Sequence, residues 1–135
     1  MTHTTHVELR FNDFDMLGHL NNAAFFEITD LAKARFMQTI IPHIDWRHLD
    51  LAIVNIDCNF HAQIFPNDNI EVQTTVTRIG NRSFTMCQSV RNRDNRDRHY
   101  ATVCSVFSAF DPVTLTSTPL PDHLRQALQP YLRQS

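Results

Sequence analysis

Arg10-Phe11-Asn12-Asp13-Phe14-Asp15-Met16-Leu17-Gly18-His19-Leu20-Asn21-Asn22 runs on into Ala23-Ala24-Phe25-Phe26-Glu27-Ile28-Thr29-Asp30-Leu31-Ala32-Lys33-Ala34-Arg35-Phe36, and this stretch decides how the chain folds. Polar and apolar residues alternate from His6 to Asn12, with Val7, Leu9 and Phe11 on one face, which predicts a half-buried strand. The alternation breaks at Asp13 to His19, where Gly18 marks a turn. It is one of only two glycines, the other being Gly80. From Asn22 to about Thr39 there is no Gly or Pro, and Ala24, Ile28, Leu31 and Arg35 with Phe25, Ala32 and Phe36 follow helical spacing. The spacing predicts a helix opening near Asn22, a candidate N-cap, and ended by Ile41-Pro42. Its apolar surface is wide, as expected of a helix wrapped by a sheet.

Outward from that stretch, the cleanest period-2 signal lies at 52–63. Ala52, Val54, Ile56, Cys58, Phe60 and Ala62 fall on one face, and Ile53, Asn55, Asp57, Asn59, His61 and Gln63 on the other. Phe65-Pro66-Asn67-Asp68 reads as a turn. Strands are predicted from Ile70 to about Ile79, from Ser83 through Val90 after a Gly80-Asn81 turn, and from Tyr100 to Phe110. Arg91 to Arg98 reads as a charged, solvated hairpin tip, and Pro121 to Leu132 as a short closing helix. The order β-α-β-β-β-β-α predicts an α+β domain in which consecutive hairpins form an antiparallel sheet, with the long early helix on its apolar face. The strand at 53–63 suits a sheet edge, and an edge of that length invites a second copy.

The chain has 135 residues, 42% hydrophobic, which predicts a single domain over 1–135 with one core. A net charge of −2 argues against a protein that binds nucleic acid by broad phosphate neutralisation. No apolar run reaches the length of a membrane span, and Met1-Thr2-His3-Thr4-Thr5-His6 lacks the apolar core of a secretory signal. A cytoplasmic protein working away from membranes is the expectation. Cys58, Cys87 and Cys104 are three and widely spaced, so neither a zinc site nor a disulfide framework is indicated, and three buried inert thiols are expected. His3 and His6 fall in a loose terminus, His43 and His48 in a connection, and neither pair has a third ligand in convincing spacing.

The 10–22 stretch carries the chemistry. Two alternate carboxylates, a glycine turn and an Asn pair set a carboxylate beside the free amides of a helix N-terminus, where the macrodipole favours negative charge. A carboxylate that attacks or activates water, facing donors for a developing oxyanion, is minimal equipment for cleaving an acyl bond. Asp15 is the candidate for that role. Asp13 reads as a turn-bonding residue, and His19 as one that fixes the turn or meets substrate.

The string Arg10-Phe11-x-Asp13-x-Asp15-x-x-Gly18-His19-x-Asn21-Asn22 resembles the opening motif of hotdog-fold acyl-CoA thioesterases of the 4-hydroxybenzoyl-CoA thioesterase type. Glu27, Asp30, the Phe65–Asp68 turn, Gly80-Asn81-Arg82-Ser83-Phe84 and Pro119-Leu120-Pro121 extend the likeness along most of the chain. The resemblance implies a five-stranded antiparallel sheet around one long central helix with a short C-terminal helix. It also implies a homodimer or homotetramer with each active site between two subunits. Carried over by position, Asp15 is the catalytic aspartate, and the amide at the Asn22 helix start polarises the thioester carbonyl. Gly18 and His19 lie beside the substrate, and Arg82 and Ser83 meet the CoA phosphates. The implied activity is hydrolysis of an acyl-CoA to acid and free CoA, with the aspartate as nucleophile or general base and with no metal or cofactor. The alternative is a non-catalytic hotdog protein that binds acyl-CoA or acyl carrier protein. Hydration of an enoyl thioester ranks last, since no His–Asp or His–Glu acid/base pair stands out.

Overall fold

A computed structural model describes residues 1–133. Strands β1 (His3–Val7), β2 (Leu51–Phe60), β3 (Ile70–Ile79), β4 (Ser83–Asn92) and β5 (His99–Ala109) form one antiparallel sheet in the order β1-β3-β4-β5-β2. Helix α1 (Asn22–Ile40) lies against its inner face, and α2 (Asp122–Leu128) covers one end. This is the α+β hotdog architecture.

Helix α1 is set by its ends as much as by its interior. Asn21, not Asn22, is the N-cap: its Oδ1 accepts the Ala23 amide at 2.7 Å. At the far end Ile41 turns extended, as the residue before a proline must, and its amide bonds back to Met37 O at 2.9 Å. The buried stripe runs Ala24, Phe25, Ile28, Ala32, Phe36 and Met37. The N-terminal half packs with Ile70, Val72, Val90 and Tyr100, while Phe36 and Met37 pack with Val76, Phe84, Met86 and Phe107 beneath Leu124 and Leu128 of α2. Each fully buried side chain of this size contributes roughly 2–3 kcal/mol of transfer free energy. Gln88 reaches through the core to donate to Thr29 O at 2.9 Å, pinning helix to sheet.

Three expectations are corrected. The first strand occupies His3–Val7 and not His6–Asn12, so His3 and His6 belong to the sheet. Its partner β3 begins at Ile70, opposite Val7, and beyond that point Arg10 and Asp13 capture each other in a 3₁₀ turn over Phe11–Asp13, leaving Phe11 94% exposed.

The chain from β2 to β3 is no hairpin. The Phe65–Asp68 turn forms, with the Asp68 amide on Phe65 O, but β2 pairs β5 at the far edge. A bulge between Ile53 and Asn55 shifts the phase of β2, so Leu51 packs on the core in place of Ala52.

Cys87 and Cys104 are not separate buried thiols. They sit opposite each other on the outer face of β4 and β5, joined as a disulfide. Only Cys58 is free, and burial, with Asp57 nearby, pushes its thiol pKa up, which makes it unreactive.

The hairpin tip after β4 is charged and exposed from Arg93 to Arg98, as its pattern predicts. From it Arg96 Nε bonds at 2.7 Å to Glu71, a wholly buried carboxylate on the outer sheet face.

Candidate active site

The segment Phe14–Leu20 folds into a small hairpin closed by a bridge between those two residues. The Gly18 amide bonds to Asp15 O at 3.0 Å, and the Asp15 amide to His19 O at 2.9 Å. Gly18 has φ +77, and a methyl placed on it meets nothing within 4 Å, so glycine is required for its left-handed backbone and not for space. Within the turn, Asp15 Oδ1 accepts the amides of Leu17 at 2.9 Å and His19 at 3.1 Å. Oδ2 has no protein partner among the described residues. The carboxylate is thus oriented through one oxygen and free through the other.

The base of the hairpin is held by Asp13. Its side chain is 5% exposed and receives the Arg10 guanidinium at 2.8 Å and the Arg10 amide at 2.8 Å. That guanidinium holds the Asp13 carboxyl below the usual carboxylate range. Asp13 O in turn accepts the Asn21 amide at 2.8 Å, which fixes the chain as it enters α1. The Asn22 and Ala24 amides of the first helical turn have no protein acceptor among the described residues, so the helix N-terminus is open to a ligand.

A cavity of about 620 Å³ lies against this N-terminus. Asp15, His19 and Asn22 line it together with Phe60 at the end of β2, His61 and Gln63 just beyond that strand, and Phe25 and Tyr100. Of the residues singled out from sequence, Asp15, His19 and Asn22 converge here and Gly18 shapes the turn. Arg82 and Ser83 do not join them within one protomer. Ser83 pairs Ser108, seven residues along β5 from the cavity-lining Ala101, or roughly 23 Å at strand rise. Arg82 instead donates to Ser117 O at 2.7 Å. The pattern reading missed Tyr100, whose role depends on which strand ends meet. Alternation sets His61 on a strand face with Asn59 and does not distinguish pocket, interface and solvent there. Among the described residues, no three His, Cys, Asp or Glu side chains converge on a possible metal centre, and no helix is long and apolar enough to cross a membrane.

Five antiparallel strands around one long helix, with a cavity at the helix start, set the chain in the hotdog class. The family model of the thioesterase-like superfamily matches residues 9–128, and the chain belongs to that family. A 1,4-dihydroxy-2-naphthoyl-CoA hydrolase of Crocosphaera subtropica is 25% identical over 90% of this chain and 91% of its own. The uncharacterized protein YsmA of Bacillus subtilis is 20% identical over 59% of this chain and about half (54%) of its own. Among solved structures, a thioesterase from Thermus thermophilus, complexed with coenzyme A and zinc, superposes with TM-score 0.81 at 26% identity. That match covers 95% of this chain and 92% of that one.

Proposed function

We propose that this chain hydrolyses an acyl-CoA thioester to the free acid and CoA, with residues 1–135 acting as one thioesterase domain. The observation that carries the reading is Asp15 itself. Its carboxylate is fixed by two backbone amides through Oδ1, its second oxygen is unengaged, and it shares a cavity with the open amides that begin α1. In this reading the thioester carbonyl oxygen points to the Asn22 amide, and Asp15 Oδ2 faces the carbonyl carbon. The carboxylate then adds directly, giving a mixed anhydride that water opens, or it takes a proton from water as that water adds. Thiolate is a good leaving group, so one carboxylate and the helix amides meet the main demands, the donors contributing a few kcal/mol where aligned. The naphthoyl-CoA activity of the Crocosphaera relative and the coenzyme A of the Thermus structure support a CoA ester as substrate.

The working unit in this reading is a homodimer or homotetramer. Edge strand β2 exposes Ile53, Val54, Ile56 and Phe60, and a second copy pairing along it would continue the sheet and cover them. Only a partner subunit brings Arg82 and Ser83 toward the CoA phosphates. We place the enzyme in the cytoplasm, where the Cys87–Cys104 disulfide meets reducing conditions. A non-catalytic binder gains nothing from a carboxylate with a free oxygen beside the helix start, which favours turnover. Released thiol, measured over a panel of CoA esters, tests the reading. Turnover of at least one ester is expected, and binding without thiol release across the panel would refute it.

A further inference from the structure

His61 lines the same cavity as the helix start, and its ring is held by a chain of hydrogen bonds at the end of the sheet. Its Nε2 lies 3.2 Å from Thr102 Oγ1, which lies 3.1 Å from His99 Nε2. His99 Nε2 is also 2.8 Å from Ala101 O and 3.2 Å from Ser89 Oγ, and Ser89 Oγ accepts Arg91 Nε at 2.7 Å. One atom fixes the His99 end of this chain. A carbonyl oxygen only accepts, so His99 Nε2 carries a proton, which Ala101 O takes as the shortest of its three contacts, and Thr102 Oγ1 cannot donate to that nitrogen. The Thr102 hydroxyl is thus free to donate to His61 Nε2, and that is the arrangement taken here. A neutral imidazole that accepts at Nε2 bears its proton on Nδ1. Among the described residues, that Nδ1–H has no protein partner, while the ring forms part of the cavity wall. Burial and the neighbouring Arg91 hold the His99 pKa down, which keeps the start of the chain neutral. His19 also borders the cavity, but its ring makes only an edge contact with Phe65 at 6.4 Å and no hydrogen bond fixes it among the described residues.

We propose that His61 donates its Nδ1–H to the sulfur of the departing thiolate, with Thr102 and His99 as positioning residues that set its tautomer. The proposal rests on the hydrolase reading above. Taking the water route, Asp15 accepts one proton from water while the oxygen bonds to the thioester carbon, and the carbonyl electron pair moves onto oxygen. As the C=O bond reforms, the C–S bond breaks and its electron pair stays on sulfur. His61 stabilises that charge by a hydrogen bond and keeps its proton. The thiolate then takes the proton held by Asp15, giving acid and thiol and restoring the carboxylate. The helix amides serve oxygen and the imidazole serves sulfur, on opposite sides of one carbon.

The test exploits leaving-group basicity. One acyl group is presented as its N-acetylcysteamine ester, an alkyl thiolate leaving group, and as its thiophenol ester, a far better one. His61→Ala is expected to lose about 30-fold in kcat on the alkyl ester, the scale of one hydrogen bond to a charged group, and less than about threefold on the aryl ester. His61→Gln, which keeps an N–H donor, should recover most of that loss. Thr102→Val should show the same ester-dependent loss in smaller measure, and Thr102→Ser should not. If His61→Ala fails to fold, the Thr102 pair reads the same ratio. Equal losses on both esters, or no loss on either, would overturn the assignment of His61. Absence of wild-type turnover on every CoA ester of the earlier panel would instead overturn the hydrolase reading, and is seen before any variant is compared.

Discussion

Gly18→Ala isolates what the Asp15 turn contributes. Gly18 has φ +77 and open space where a Cβ would sit, so the added methyl clashes with nothing beyond its own backbone. The cost is therefore conformational, about 1–2 kcal/mol for an alanine held in the left-handed region. The hairpin around it is small and edged by exposed Met16 and Leu17, so the cheapest relief is local opening and not global unfolding. An energy of that size shifts the closed-to-open ratio by about five- to thirtyfold. Opening releases the Leu17 and His19 amides from Asp15 Oδ1, and the carboxylate loses its orientation. The thiol-release assay should show kcat falling while KM changes little, and urea unfolding should show a loss of no more than about 2 kcal/mol. Gly18→Asn should lie between, because asparagine tolerates the left-handed region better. Wild-type kcat in Gly18→Ala would refute the claim that this turn positions the carboxylate.

Three further outcomes are expected. Asp13→Asn removes the carboxylate that ties Arg10 to the helix entry and should cost about 2 kcal/mol at neutral pH. The Asp13 pKa is depressed in the folded state, so its contribution is full above the ordinary carboxylate range and fades as pH falls through the folded value; the urea midpoints of wild type and variant should converge as the pH falls below the ordinary carboxylate range. Arg96→Ala leaves the buried Glu71 carboxylate with only the Gln73 amide and the nearby His6 ring, and should cost about 1–3 kcal/mol. Adding Glu71→Gln should restore part of it in a double-mutant cycle by urea unfolding, and strictly additive losses would mean that the pair is uncoupled. Val54→Asp puts a charge into the exposed β2 edge and should give a monomer in light scattering where wild type is a dimer or larger; an unchanged mass would move the interface elsewhere.

The parts of this fold legible in the sequence are those governed by local periodicity. Helix α1 is where its Gly- and Pro-free apolar stripe requires, and β3, β4 and β5 lie within a residue or two of their alternating runs. The partner of β2 was not legible, because alternation shows that a residue run is a strand and is silent on its neighbour; a strand exposed on both faces belongs to an edge, and here that edge is beside β5. The overlong first strand failed because alternation through Phe11 was outcompeted by a short-range ion pair, Arg10 with Asp13, once β3 had run out. The helix opens at Asn22 as its spacing requires, and only the cap moved by one residue, because either asparagine of the Asn21-Asn22 pair suits a cap. The disulfide was unreadable because Cys87 and Cys104 become neighbours only through the β4–β5 register. At the site, Asp15, Gly18, His19 and Asn22 are close in sequence and so appear together in a pattern. Tyr100 and His61 reach the same cavity through strands whose ends meet only in three dimensions.

The sharpest test of the mechanism is the turnover number of Asp15→Asn on the best CoA ester, with acyl-CoA affinity measured calorimetrically on the same variant. The isosteric amide keeps the Oδ1 acceptor of the turn and removes the charge. Turnover should fall by at least about 10²–10⁴ while affinity stays within a few-fold of wild type. Turnover near that of the wild-type protein would show that the acyl bond is broken without this carboxylate.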